Sequence, residues 1–380
     1  MRILLVANYL NDEQQSMQRF AALMERALRE TGHEVCVRRP PGIVGNLHPG
    51  GHGLGKWLGY IDKFGVFPIT LRTAVRWCDV VHICDHANSF YVRYLGSRPH
   101  LVTCHDVLAI RSALGEVPRN ITGGTGQQLQ RMILNGLKQA QHIVCVSDAT
   151  RAELLRIAAI PKNRVSTTYN ALNYPYSRMV EPEAAAHLRR LGIDPGHSFL
   201  LHVGGNQWYK NRLGVLQIFS FLRKHAAGQG LKLVMAGKPW TNEMRKLVSD
   251  HGLLEATCEL TSVTNEDLRA LYSSAKMMLF PSLEEGFGWP ILEAQACGCP
   301  VVTSSRSPMN EVGGSAAIYV DPENPESAAA TIAGAIEQAD SMRESSFQNA
   351  ARFDVSMMVR SYLTIYRKVY NEHIARHQFS

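Results

Sequence analysis

The chain has 380 residues, of which 45% are hydrophobic and 19% charged, with a formal net charge of +7. This is long for one core and fits two domains of ordinary globular composition, and no apolar run approaches the ~20 residues of a membrane span. The positive charge suits nucleic acid, an anionic membrane surface or a phosphorylated substrate, and the lack of any RNA- or DNA-binding motif places nucleic acid last.

The opening residues Met1 to Val6 run directly into a strand pattern without the small-residue exit of a signal peptide, so a cytoplasmic location is expected. Of the eight cysteines, Cys36, Cys78, Cys84, Cys104 and Cys145 lie in or beside apolar strand segments. No C-x-x-C occurs, and the one-residue spacing of Cys297 and Cys299 is poor for zinc. Buried, reduced thiols and no metal site are the expectation.

Residues 2–8 read as a buried parallel strand. Met17 to Glu30 follows as a helix with Phe20, Leu23, Met24, Ala27 and Leu28 on one face, and Glu34 to Val37 starts the next strand. The stretch 41–67 is rich in Gly, Pro and aromatic residues, and Gly53, Gly55 and Gly59 imitate a dinucleotide fingerprint. No strand precedes them, which removes the mechanism that would place a pyrophosphate on a helix end. Lys56, Trp57, Tyr60, Lys63, Phe64 and Phe67 read first as a helix packed on the sheet. The second reading is an aromatic and basic surface for an acceptor or for peripheral contact with the inner face of an anionic membrane.

Strand runs recur at Asp79 to Cys84, Leu101 to Cys104, His142 to Val146 and Arg164 to Thr168, separated by helical segments such as Gln128 to Ala140. This alternation predicts a doubly wound parallel sheet, whose ligands bind beyond the carboxyl ends of the strands. Asp85-His86, His105-Asp106 and Ser147-Asp148 occupy such ends, whereas His82 reads as a core histidine. Gly123 to Gly126 resembles a phosphate loop but follows no strand, and is expected to be a flexible loop or acceptor lid. Ser147 is placed as the N-cap of a helix.

From Tyr174 to Pro195 the chain turns polar and Pro-punctuated, as a connection between domains spanning 1–175 and 190–355 would. Ser198 to Val203 restarts the alternation. The loop after it, Gly204-Gly205-Asn206-Gln207-Trp208-Tyr209-Lys210-Asn211-Arg212, precedes a helix over Leu213 to Lys224. Two cations at a helix start conflict with the macrodipole unless an anion joins them. Further strands are predicted at Leu231 to Ala236, Cys258 to Val263, Met277 to Phe280 and Ala316 to Pro322, and a helix starts at Thr264 with Leu268, Leu271 and Tyr272 facing inward.

The most informative stretch is Leu279 to Thr303, LFPSLEEGFGWPILEAQACGCPVVT. It reads as strand, glycine-flexed loop and a helix entered at Pro290, where a missing N–H does no harm. Glu285 lies in the loop and Glu293 about two helical turns on, so both carboxylates come to one end of one strand. Carboxylates accept from hydroxyls, while glycine-loop and helix-start amides attract anions. A ligand with hydroxyls and phosphates, such as a sugar nucleotide, satisfies both.

The string from Glu285 to Glu293 with Ala294 to Val302 closely resembles the E-x7-E signature of retaining GT-B glycosyltransferases of family 4, group 1. The resemblance covers nearly the whole chain, strongly from Ser198 to Pro322 and weakly over residues 10–75. It implies an α/β fold of two Rossmann-like doubly wound parallel-sheet domains facing across a cleft, with the helix Ser356 to His373 packing back on the first. It also implies transfer of a sugar from a nucleotide-diphosphate sugar to a glycan, lipid-linked or small-molecule acceptor, without metal or other cofactor.

By that resemblance His105 faces the transferred sugar, Lys210 meets the leaving phosphate, and Glu285 lies near the C3 and C4 hydroxyls of the sugar. Glu293 takes the ribose hydroxyls. Gly205, Arg212, Gly286, Phe287, Gly288 and Leu292 line the donor, and Val263 is a positional candidate near the base. Arg212 stands one turn later than the arginine of relatives, and the first loop, Asn11 to Ser16, lacks their glycine pair. A glycosidase using Glu285 and Glu293 on one bond is disfavoured by their separate duties. An epimerase or non-catalytic binder on the same nucleotide platform is the alternative, and a nicotinamide dehydrogenase lacks a correctly placed fingerprint.

Overall fold

Short runs of aliphatic and β-branched residues, buried on both faces, form parallel strands because such strands shed water from either side. The computed structural model describes residues 1–12, 14–47 and 54–378. Glu13, Gly53 and the side chain of Lys56, all touched on above, lie outside the described residues. The chain divides into two units, Met1–Asn173 with Val355–Ser380, and Tyr174–Asp354.

In the first unit the strands are β1 (Arg2–Val6), β2 (Glu34–Arg38), β3 (Val80–Ile83), β4 (His100–Cys104), β5 (His142–Cys145) and β6 (Val165–Thr167). All pairs are parallel, in the order β2-β1-β3-β4-β5-β6. Leu4 of β1 faces Cys36 on one side and Val81 on the other. The chain passes to one side of β1 to make β2 and then crosses to the other for β3, so its direction of winding reverses between β1 and β3.

His82, in the middle of β3, has no exposed surface; its Nδ1 lies 2.8 Å from the Tyr366 hydroxyl and its Nε2 2.7 Å from the Thr103 hydroxyl. The Tyr362 hydroxyl shares Thr103 at 2.9 Å. Through these bonds the terminal helix Val355–Gln378 is held on the sheet of the first unit. Within segment 41–67, Phe67 is buried and Phe64 packs against the core, while Trp57 is 61% exposed. A buried carboxylate organises this region: Asp62 accepts from the Tyr9 hydroxyl at 2.9 Å and from the backbone N–H of Val44 and Gly45. Burial and then this bond push the Tyr9 hydroxyl up to about 12.

One local expectation is corrected. Gly123 to Gly126 is not a loop: Gly123 is the extended N-cap of the helix Gly124–Gln139. Burial of Ile133, Leu134, Gly136 and Leu137 further along that helix outweighs the weak helical preference of its first glycines. The polar stretch after Tyr174 contains the helix Glu181–Arg190. Glu181 and Glu183 in its first turn and Arg189 and Arg190 in its last complement the macrodipole, and it is moored to Asp267 by His187 at 2.8 Å and by Arg190.

The second unit repeats the plan with β7 (Phe199–Gly204), β8 (Lys232–Gly237), β9 (Thr257–Leu260), β10 (Met277–Phe280), β11 (Val301–Ser304) and β12 (Ala317–Val320). Their order is β12-β11-β10-β7-β8-β9, again all parallel. Here the reversal falls between β7 and β10. No helix among the described residues is long and apolar enough to cross a membrane.

Burial pushes the imidazoles of His82 and, in the second unit, His202 down to about 3, from an ordinary value of 6.5. Between those values the unfolded chain binds protons that the folded chain does not, so these residues make stability fall as pH falls from 6.5 toward 3. His82→Gln is expected to flatten the dependence of urea-unfolding free energy on pH across this window by up to about 1.4 kcal/mol per pH unit. An unchanged slope would show that His82 is protonated in the folded chain.

Candidate functional site

The candidate site of the second unit grows from the winding reversal. Strands β7 and β10 are neighbours, so the loops leaving their carboxyl ends meet, which is where open α/β sheets bind ligands. Three bonds join the loops: the Leu283 N–H donates to the Tyr209 carbonyl at 2.8 Å, the Asn211 amide donates to the Pro281 carbonyl at 3.0 Å, and Lys210 Nζ donates to Glu285 Oε1 at 2.7 Å. Asn211 takes a left-handed backbone, φ 52°, which asparagine tolerates better than most residues, and so turns the chain from the short 3-10 turn Trp208–Lys210 into the helix Arg212–Leu222. The same amide reaches the Pro322 carbonyl after β12.

The Lys210–Glu285 pair is nearly buried, with side-chain exposures of 16% and 8%. Its ammonium also lies 5.2 Å from the centre of the Phe280 ring. Arg212 is buried too: its Nη1 donates to the Asn206 side chain and, at 2.7 Å, to the Lys238 carbonyl, while Nε and Nη2 are buried with no hydrogen-bond partner. Burial lowers the affinity of its guanidinium for its proton, against the opposing charge of Glu259. The loop that brings Lys238 alongside requires glycine, because a Cβ on Gly237 (φ 146°) would stand 1.9 Å from the Gly204 carbonyl oxygen.

On the β10 side, Gly288 (φ 99°) is the N-cap of the helix Trp289–Ala296, with Pro290 in its first turn. Phe287 is buried against the rings of Trp289 and Phe353, and Leu292 has no exposed surface. Both therefore act on the site as packing. Glu293 is buried on this helix and accepts from the Tyr272 hydroxyl at 3.0 Å. Burial and the Glu293 carboxylate push the Tyr272 hydroxyl well above its ordinary range, so it remains a donor. Tyr272 had read simply as an inward-facing core residue; its polar tip in an apolar helix face beside the Glu293 helix is the signal that a contact map, and not a single sequence, makes visible.

Gly205 lies half-buried in the loop after β7. Val263 sits half-buried on the loop after β9, at the sheet edge, and no hydrogen bond among the described residues ties it to the Lys210 cluster. Among the described residues there is no group of three or more His, Cys, Asp or Glu that could hold a metal ion.

The first unit has its own site at its own reversal. Asn8, just past β1, donates to Asp85 Oδ2, just past β3, and to the Gln14 side chain, each at 2.5 Å. His86 Nδ1 lies 3.1 Å from Asp85 Oδ1. Burial opposes both charges, but each partner outweighs it for the other: Asp85 is held well below the usual carboxylate range and His86 is raised. His105, past β4, donates from Nε2 to the Cys84 carbonyl at 2.9 Å and meets the Phe20 ring edge-on at 4.8 Å. Burial lowers its pKa, so the ring is neutral. Asn8 was not singled out from sequence, although its place just beyond the strand next to β3 marks it.

The family model for "Glycosyl transferases group 1" matches residues 184–353, and that for "Glycosyltransferase Family 4" matches residues 17–174. The chain belongs to the group 1, family 4 glycosyltransferases. Within that family it is similar to O-antigen chain mannosyltransferase B of Escherichia coli, 28% identical over 260 residues, 68% of this chain and 66% of the relative. It is 26% identical over 227 residues, 58% of either chain, to O-antigen chain mannosyltransferase RfbU of Salmonella typhimurium. The matched part thus spans somewhat under two thirds of these curated relatives. In fold it is similar to Anabaena HepE in complex with UDP and glucose (TM-score 0.73, 14% identity, covering 97% of this chain and 100% of the other). Sucrose-phosphate synthase from Thermosynechococcus elongatus gives a TM-score of 0.73 at 16% identity, covering 98% and 100%. The glycosyltransferase fold is GT-B, with one parallel six-stranded sheet in each unit.

Removing one member of a nearly buried ion pair strands the other charge away from water. Lys210→Met is expected to cost about 3 kcal/mol of unfolding free energy, and Lys210→Met with Glu285→Leu to recover most of it. Urea denaturation of the two variants checks this; a double variant as unstable as the single one would mean that the pair is not what holds the loops.

Proposed function

We propose that the protein is a retaining, metal-independent hexosyltransferase that moves a sugar from a nucleotide-diphosphate sugar to an acceptor hydroxyl. The observation that carries this reading is the Lys210–Glu285 pair across two adjoining loops of one sheet, with Arg212 and Glu293 on the helices those loops enter and Arg212 Nε and Nη2 buried and unbonded. Buried donors without partners are costly, and a diphosphate is a ligand that satisfies them. As the bond between sugar C1 and the phosphate oxygen breaks, charge grows on the departing diphosphate. Lys210, Arg212 and the positive end of the Trp289–Ala296 helix stand where that charge is met, in a site with little water. These cations supply the role a divalent ion would otherwise fill.

Glu293 accepts ribose hydroxyls, oriented by Tyr272, and Glu285 accepts from the sugar. Glu285 is bound to Lys210, which makes it a poor nucleophile and favours attack by the acceptor on the face the diphosphate leaves. In that step the acceptor oxygen forms its bond to C1 and its proton passes to the phosphate oxygen. Gly205 and Gly286 to Gly288 allow the donor close approach to the backbone, with Val263 toward the base. His105 is assigned to the transferred sugar, as the family resemblance implies. The names of the E. coli and Salmonella relatives favour mannose and a glycan acceptor, which includes a lipid-linked one. The reaction on such an acceptor would take place in the cytoplasm or at the inner face of its membrane.

A thermal-shift panel of mannose and glucose carried on guanosine, uridine and adenosine diphosphate is expected to give one donor a clear rise in melting temperature. With that donor, Lys210→Ala should lower kcat by about 100-fold or more. Glu293→Ala should weaken the free nucleoside diphosphate by roughly tenfold. The product should keep the anomeric configuration of the donor, and turnover should persist in chelator. Conversion of the sugar without acceptor would instead identify an epimerase.

A further inference from the structure

At the other end of the first sheet, away from the loops that carry Asn8, Asp85 and His105, the first unit contains a cavity of about 530 Å³. It opens where β4 begins at His100 and β5 begins at His142. Its walls carry four cations, Arg98, Arg164, Lys368 and Arg376, against one carboxylate, Glu372. Lys368, Glu372 and Arg376 recur every four residues along the terminal helix and so share one face of it.

Three of these cations are held by backbone carbonyls. Arg98 donates to the Cys78 and Arg76 carbonyls, Arg164 to the Lys138 and Ala140 carbonyls, and Lys368 to the Asn163 carbonyl at 3.0 Å. Carbonyl partners fix geometry and leave the full charge in place, and among the described residues none of these three lies within 4.0 Å of a carboxylate. Glu372 is engaged by the Gln141 amide at 3.3 Å. Two of its histidines add no charge: His100 spends Nδ1 on the Arg98 carbonyl and accepts the Gln141 N–H at Nε2, and His142 is pushed down to about 4, first by burial and then by Lys368. Arg164 is itself disfavoured as a cation by burial and by Arg376. Like charges gathered in one concavity repel, and three cations held by carbonyls there, Arg98, Arg164 and Lys368, mark a place where an anion completes the balance.

We propose that this cavity is a second ligand site, which takes a phosphate-bearing molecule through Arg98, Arg164, Lys368 and Arg376. Its volume suits a sugar phosphate or a nucleotide. Several cations around one opening match the several acceptor oxygens of a phosphate group, which arginine binds bidentately. The site shares no residue with the Lys210 cluster, so it is open to a ligand other than the donor. A free phosphorylated metabolite and a lipid phosphate headgroup offer the same chemistry.

The test uses the full chain with Lys210→Ala, which weakens the competing cation site, titrated calorimetrically with inorganic pyrophosphate. Adding Lys368→Gln and Arg376→Gln, both exposed side chains, is expected to weaken binding by roughly tenfold or more, and the charge-keeping pair Lys368→Arg and Arg376→Lys to restore it. An unaltered melting temperature shows that the variants fold. In parallel, the same chains are sedimented with phosphatidylcholine vesicles with and without phosphatidylglycerol. Charge-dependent binding of pyrophosphate alone identifies a free metabolite as the occupant, and charge-dependent sedimentation with the anionic vesicles identifies a lipid headgroup. Equal behaviour of all the chains in both assays overturns the site.

Discussion

The structure of the second unit depends on one adjacency, β10 beside β7. The chain leaves β7, builds β8 and β9 outward on one side, and returns to lay β10 against the opposite edge of β7. A right-handed crossover between parallel strands permits this, and it brings together two loops whose cation and carboxylate are 75 residues apart. Once adjacent, the loops are not left to drift: a backbone hydrogen bond, the Asn211 amide and the Lys210–Glu285 pair tie them. The cation and the carboxylate thus position one another before any ligand arrives. That is preorganisation, in which the cost of gathering charges is met by folding rather than by binding.

Tight mutual pairing on one side makes the incomplete bonding of Arg212 more telling. Its Nη1 is anchored to Asn206 and Lys238, which directs the plane of the guanidinium, while Nε and Nη2 are withheld from both water and protein. Glu293 is held on its helix by the Tyr272 hydroxyl, which sets the carboxylate's orientation. Gly237, at the end of β8, serves close approach to the loop after β7, because its hydrogen faces the Gly204 carbonyl oxygen where no methyl group fits.

The first unit shows that topology sets the place of a site and side chains set its chemistry. Its reversal between β1 and β3 gathers Asn8, Asp85 and His86 into a buried network in which burial disfavours the charged forms and the partners oppose it, lowering Asp85 and raising His86. No lysine or arginine enters that network. Arg98, Arg164 and Lys368, held by carbonyls, lie at the other end of the strands, around His100 and His142. The net charge of +7 is therefore not a uniform coat but includes a local concentration in one concavity.

Much of this was legible from the residues in order. The βα alternation, the approximate span of the strands, the Ser147 cap and the Glu285–Glu293 string depend on neighbours within a turn or two of chain, and local physics specifies them. Even so, Gly123 to Gly126 reads as a loop where the structure has a helix start, because burial further along that helix overrides the preference of its first residues. What no local pattern contains is strand order. That β10 lies against β7, that Lys210 closes on Glu285, that Tyr272 faces Glu293 and that Lys368 shares a cavity with Arg98 are all consequences of pairing across long chain separations. Such pairings follow from how buried faces are matched over a whole sheet, and a list of residues read one neighbourhood at a time does not carry that matching.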